Sequence, residues 1–155
     1  MHRPTAVLFA GLSAAIVLLG SCSSSSSTSS PATGGASSAS SSGSGTITIG
    51  SDQANDHGTE DVSGMSSFEL GANNDDGFYF DPTVLTGSAN QSLKLEIKNE
   101  GTAEHNFTIE SLGVNVNIQP GQSQEVTVKF PGSGSVEYFC SFHRSLGMAG
   151  ELQVA

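Results

Sequence analysis

From about Ser67 to the C-terminus, apolar side chains recur at every second position in short runs broken by turn residues. Leu93, Leu95 and Ile97 alternate with Ser92, Lys94, Glu96 and Lys98, and Asn99-Glu100-Gly101 ends the run. His105, Phe107 and Ile109 share one face of the next run, while Asn106, Thr108 and Glu110 share the other. Val114, Val116 and Ile118 follow and stop at Pro120-Gly121; Val126, Val128 and Phe130 stop at Pro131-Gly132. Val136, Tyr138 and Cys140 then share a face, and Leu152 and Val154 finish the chain. Residues 68–70 and 78–80 supply earlier strands. Successive side chains of a strand point to opposite faces, so this period of two half-buries a strand. No helical apolar stripe lasts beyond about two turns here. Some seven or eight short strands in about ninety residues predict an all-β sandwich or small barrel over 67–155. A domain of that size buries a sufficient core without a disulfide.

The N-terminal part reads differently. His2 and Arg3 make a cationic start, and residues 5–19 are apolar or small throughout. That length suits a signal-peptide core and is short for a spanning helix. The run ends in Leu19-Gly20-Ser21-Cys22, which resembles the bacterial lipobox. The resemblance implies that 1–21 are a signal peptide and that Cys22 is the first mature residue, lipidated on its sulfur and amine. An uncleaved anchor helix is the alternative, but Cys22 sits where the apolar run stops. Residues 23–45 are almost wholly Ser, Thr, Ala and Gly with Pro31. Such a stretch has no apolar surface to offset the entropy of ordering, so a flexible tether of roughly 25–30 Å end to end is expected. Residues 46–66 are transitional; Thr46-Ile47-Thr48-Ile49 suits a short strand, but 22–66 as a whole is assigned to the lipidated cysteine and linker. The expected location is the extracytoplasmic face of the cell membrane.

Fifteen acidic residues face five basic ones, and loss of Arg3 with the signal peptide leaves four, a mature formal charge of −11. Phosphate binding needs a basic face, so nucleic acid is excluded as a partner. The same charge predicts salt-sensitive docking to a cationic protein.

Two segments carry chemistry. Cys140, His143 and Met148 fall in the order C-x2-H-x4-M, and His105 lies about thirty-five residues upstream. With Cys22 acylated, Cys140 is the one thiol left. A thiolate, two imidazoles and a thioether are the donors that select a trigonal copper site with a long axial sulfur. Cu(I) prefers soft sulfur and Cu(II) prefers nitrogen, so a loop that fixes a compromise lets the metal change charge with little rearrangement. Taken singly, Cys140 reads as a small core residue, His143 as a loop residue and Met148 as packing. Zinc would be better served by a harder fourth ligand than Met. His57, in Asp56-His57-Gly58, reads as a solvated loop histidine rather than a second metal ligand.

The segments 78–82 (FYFDP), Asn99-Glu100-Gly101, His105-Asn106 and the whole 140–148 loop resemble those of the cupredoxins, type 1 blue-copper proteins, with the loop length of plastocyanin and pseudoazurin. The resemblance implies a Greek-key sandwich holding one copper ion on His105, Cys140, His143 and Met148. It further implies that Asn106 hydrogen-bonds across to the ligand loop near Ser141. His143 would show a ring edge in an apolar patch that includes Leu146 and Gly147, where electrons leave. Phe142 stands where that family usually has proline.

Enzymatic classes fail on inventory. A binuclear copper centre needs two cysteines in one loop, multicopper enzymes need more histidines, and a Cys–His hydrolase needs an accessible activated thiolate. The expectation is an electron carrier rather than a catalyst, monomeric, passing single electrons between redox proteins such as a cytochrome c or a membrane oxidase or reductase. The alternative is a copper-binding or delivery module with no carrier role.

Overall fold

The structure, a computed structural model, describes residues 45–155. The expected signal peptide, Cys22 and most of the Ser/Gly-rich tether lie outside the described residues. Twelve strands follow in order: β1 Gly45–Ile49, β2 Asp52–Asp56, β3 Thr59–Asp61, β4 Ser67–Asn73, β5 Tyr79–Asp81, β6 Val84–Gly87, β7 Ser92–Asn99, β8 His105–Ile109, β9 Val114–Ile118, β10 Ser123–Lys129, β11 Ser135–Phe139 and β12 Ala149–Val154. Two short 3-10 turns, Glu110–Leu112 and Arg144–Leu146, are the helical segments among the described residues.

The strands form a four-stranded sheet, β10-β7-β4-β5, and a six-stranded sheet, β3-β6-β12-β11-β8-β9. Strand β4 runs parallel to β7 and β6 runs parallel to β12, so neighbours in space are distant in sequence, as a Greek-key sandwich requires. The core lies between the two sheets. Leu70, Ala72, Phe80, Leu93, Leu95, Ile97 and Val128 enter from one side, and Leu85, Phe107, Ile109, Ile118, Tyr138 and Leu152 from the other. Strand β7 shows the cause most plainly: Leu93, Leu95 and Ile97 are fully buried while Ser92, Lys94 and Glu96 are exposed. Each such side chain contributes about 1.5–3 kcal/mol by leaving water.

The strand count exceeds the seven or eight expected. Nine strands start at Ser67 or later, and one reason is Pro82. Proline lacks an N–H for a ladder, and the chain leaves the four-stranded sheet at β5 to enter the six-stranded one at β6 across it.

The second departure is larger. Residues 45–66, assigned to the linker, are folded. Strands β1 and β2 pair as an antiparallel hairpin closed at Gly50-Ser51, with Gly50 at φ +57, a backbone conformation glycine adopts at no steric cost. Ile49 and Ala54 of that hairpin pack with Val84, Phe139 and Ala149 in a cluster separate from the main core. Phe139 and Ala149 alternate with the inward-facing Tyr138 and Gly150, so the hairpin lies on the outer face of the six-stranded sheet. Strand β3 adds a parallel edge beside β6, and Val62 just after it is fully buried in the main core.

Candidate metal centre

His105 opens β8 and Cys140 directly follows β11, on strands that are neighbours in the six-stranded sheet. The approach to His105 is fixed by Asn99, whose buried amide donates to Ala103 O and Ile118 O and accepts from the Gly101 N–H. That folds the 99–104 turn onto itself and sets where β8 begins. The loop from Cys140 to Met148 is closed by its own backbone: His143 N–H donates to Cys140 O, Met148 N–H to His143 O, and Cys140 N–H to Met148 O. Gly147, at φ +93, ends the 3-10 turn inside it.

These elements bring His105, Cys140 and His143 together. Their donor atoms all lie within 4.8 Å of one another, the one such group of three metal-ligating side chains among the described residues. Cys140 Sγ is 3.4 Å from His143 Nδ1, and the two imidazole rings meet at 5.2 Å and 73°. The backbone N–H of Asn106 donates to Cys140 Sγ at 3.3 Å, which ties the start of β8 to the ligand loop. The ring of Phe78 stacks on His143 at 3.9 Å and meets His105 edge-on.

The chemistry of the site is decided by His105. It is fully buried, and neither ring nitrogen has a hydrogen-bond partner. Buried polar atoms are almost always paired; an imidazole left bare beside a buried thiol and a second imidazole fits a metal ligand. Two nitrogens and a soft sulfur suit copper.

Burial, and then His143 beside it, push the pKa of His105 down from 6.5 to about 4, and burial also lowers that of His143. In the metal-free protein the unfolded chain takes up the His105 proton near 6.5 while the folded chain resists until about 4. The unfolded state therefore binds more protons in that window, and stability falls as pH drops through it. Above about 6.5 the contribution is complete. Denaturant titrations of metal-free wild type and His105→Gln between about pH 7.5 and 4 check this. The wild type is expected to lose stability more steeply; parallel acid limbs would clear His105 of the effect.

The remaining sequence-predicted residues are placed as follows. Met148 is fully buried in the same cluster as Cys140. Asn106 Oδ1 accepts from the Ser141 N–H at 3.3 Å, and its Nδ2 donates to Asn115 and Asn117 of β9. All five residues of β8 are buried, so Asn106 and Thr108 do not face open solvent. Leu146 is 55% exposed and Phe142 49% exposed, on either side of the half-buried His143. Gly147 is a correction: it is buried and takes no part in that surface, because Asn55 of β2 lies over it. His57 is also corrected. It is half-buried, its ring stacked flat on Tyr79 at 3.4 Å, and Tyr79 is itself held by a bond from its hydroxyl to Asp75. Phe78, Asn55 and Arg144 touch the ligand loop or its rings without having been singled out as site residues. Arg144 carried one available signal, as a lone cation next to His143.

A family model for the cupredoxin-like domain matches residues 14–154. No curated protein matches the sequence. Among solved structures, the dithionite-reduced auracyanin of the photosynthetic bacterium Roseiflexus castenholzii is 19% identical, with 58% of this chain and 97% of that one covered and a TM-score of 0.49. Auracyanin A, a "blue" copper protein of Chloroflexus aurantiacus, is 24% identical over 57% of this chain and 98% of that one, at a TM-score of 0.47. A chain of a heme-copper terminal oxidase dimer is 21% identical over 59% and 66%, at 0.49. With the family match spanning most of the sequence and His105, Cys140 and His143 gathered at one site, the chain belongs to the cupredoxin-like family, and its cofactor is one copper ion.

Proposed function

We propose that this chain is a one-electron carrier tied by lipid on Cys22 to the extracytoplasmic face of the cell membrane, with Met148 as a weak fourth donor beside His105, Cys140 and His143. The observation that carries the reading is the buried, unpartnered His105 imidazole beside Cys140 and His143. Bound copper supplies a one-electron couple between its cuprous and cupric states. The residues supply the rest. Cys140, His105 and Met148 are fixed in a packed core that resists displacement. The Asn106 N–H and the tie from Asn106 to Ser141 hold the two ligand segments in register. Of the four donor residues only His143 reaches the surface, flanked in the loop by exposed Phe142 and, three residues on, Leu146, and so gives an electron its way out.

The mature charge of −11 supports a cationic redox partner, a cytochrome c or a membrane oxidase or reductase. The copper-loaded soluble domain, mixed with a basic cytochrome c, is expected to exchange electrons roughly tenfold more slowly at 0.15 M than at 0.01 M salt. A rate indifferent to salt removes the charge-guided docking. Electron self-exchange and copper release to a chelator are measured on the same sample. A slow self-exchange together with ready release would make the chain a copper-delivery module instead.

A further inference from the structure

We propose that Asn55, in the N-terminal β1–β2 hairpin, is a positioning residue for the copper loop: the hairpin is a strap that holds the segment carrying His143 and Met148 from outside the sandwich. Asn55 reaches two separate stretches of the site. Its Nδ2 donates one hydrogen to Phe78 O at 2.9 Å and the other to Leu146 O at 3.0 Å. Its backbone N–H donates to Gly147 O at 2.9 Å. Its carbonyl accepts from Thr83 Oγ1 at 3.0 Å, which anchors β2 to the six-stranded sheet.

The packing is close enough to be specific. A Cβ placed on Gly147 would sit 2.7 Å from Asn55 Nδ2, so only glycine lets the amide approach. Both carbonyls that Asn55 engages belong to residues that bear on the ligands. Phe78 lays its ring on His143, and Leu146 lies between His143 and Met148 in the loop.

A second contact from the same hairpin grips the other side of the turn. Arg144, next to His143, donates through Nε to Asp52 of β2 and through its terminal nitrogen to both Glu137 oxygens at 3.0 and 3.1 Å. Its guanidinium also lies 3.9 Å over the Phe139 ring. The turn Arg144–Leu146 is thus held at both ends by residues 52–55. Five backbone bonds lie within the loop, the longest from the Met148 N–H to His143 O at 3.3 Å, and none of them engages the carbonyls of Leu146 and Gly147. Without the strap, little outside the loop fixes the Leu146–Gly147 backbone.

The inference rests on copper being held at the His105–Cys140–His143 site, and one arm of its test needs no metal. Hydrogen exchange is measured on the metal-free wild type and Asn55→Ala. In the variant the amides of Leu146, Gly147 and Met148 are expected to exchange about tenfold faster, while those of Leu95 and Val126 in the far sheet stay as they were. Copper release to a chelator from the loaded variant is expected to accelerate by a similar factor. Gln53→Ala, in the same hairpin but bonded only to Thr48 Oγ1, serves as control and leaves both readouts unchanged. Should Asn55→Ala fail to fold, Asn55→Asp keeps the side-chain size and turns a carboxylate towards both carbonyls, with the same local loss of protection expected. Loop protection within twofold of wild type, or an equal rise at every amide, overturns the positioning role. Faster loop exchange with unchanged copper release shows a strap that the metal does not need, and overturns it as well.

Discussion

Cys140→Ser is expected to leave a folded but colourless protein. Serine is nearly the same size and shape, and its hydroxyl stays protonated at neutral pH, so the core keeps its packing while the site loses its one anionic soft donor. Burying a hydroxyl in place of the weakly polar thiol should cost the metal-free variant about 1–3 kcal/mol while leaving it folded. With cupric salt, the wild type should show strong visible absorption from sulfur-to-copper charge transfer and a compressed copper hyperfine splitting. The variant should show neither, and its copper affinity should drop more than about 100-fold, beyond what loss of an outer-shell partner costs. Cys140 is buried and free, so no second sulfur of the same kind can take its place among the described residues. Compressed hyperfine splitting that survives the substitution would remove the thiolate from the site.

Gly150→Ala should be the most damaging single methyl in the sandwich. Gly150 lies in β12 opposite Tyr138 of β11. A Cβ there would fall 2.3 Å from Thr83 O and 2.5 Å from the Tyr138 ring. Neither neighbour can yield cheaply. Thr83 O is backbone, and the fully buried Tyr138 donates its hydroxyl to that same oxygen at 2.9 Å and contacts Pro82 O at 3.2 Å. The Tyr138 ring also packs edge-on against Phe80 and tilted against Phe107. Relief requires moving a core aromatic or parting β12 from β6, and overpacking of this kind costs about 3 kcal/mol or more. For a domain of about a hundred residues that is a fall of roughly 12–24 °C in Tm. Thermal unfolding of the metal-free protein checks it. A loss under about 1 kcal/mol would mean that the Tyr138 pocket has slack.

What could be read from the sequence followed from where water is. Strand β7 was legible because one of its faces is wet, which writes Leu93, Leu95 and Ile97 against Lys94 and Glu96. Strand β6 was not, because Val84 and Leu85 are consecutive and both buried, and its partners β3 and β12 lie far off in sequence. The β1–β2 hairpin reads as linker apart from residues 46–49, since it carries little apolar surface of its own. Ile49 and Ala54 become core only against Val84, Phe139 and Ala149, which local composition cannot announce. The ligand loop was legible because Cys140, His143 and Met148 fall within nine consecutive positions of one segment. Asn55 was silent for the opposite reason: it meets the loop across a separation of 91 residues, through an amide like any other in a polar stretch. The burial of Gly147 was hidden with it.

The sheet order also governs when the thiol becomes safe. Cys140 directly follows β11, which pairs with both β12 and β8, and β12 in turn pairs with β6 more than sixty positions upstream. Topologies built from such distant pairings reach the native state in milliseconds to seconds rather than microseconds. Throughout that interval the nascent chain displays an unprotected sulfhydryl to whatever oxidants surround it, and completion of the sandwich is what ends the exposure.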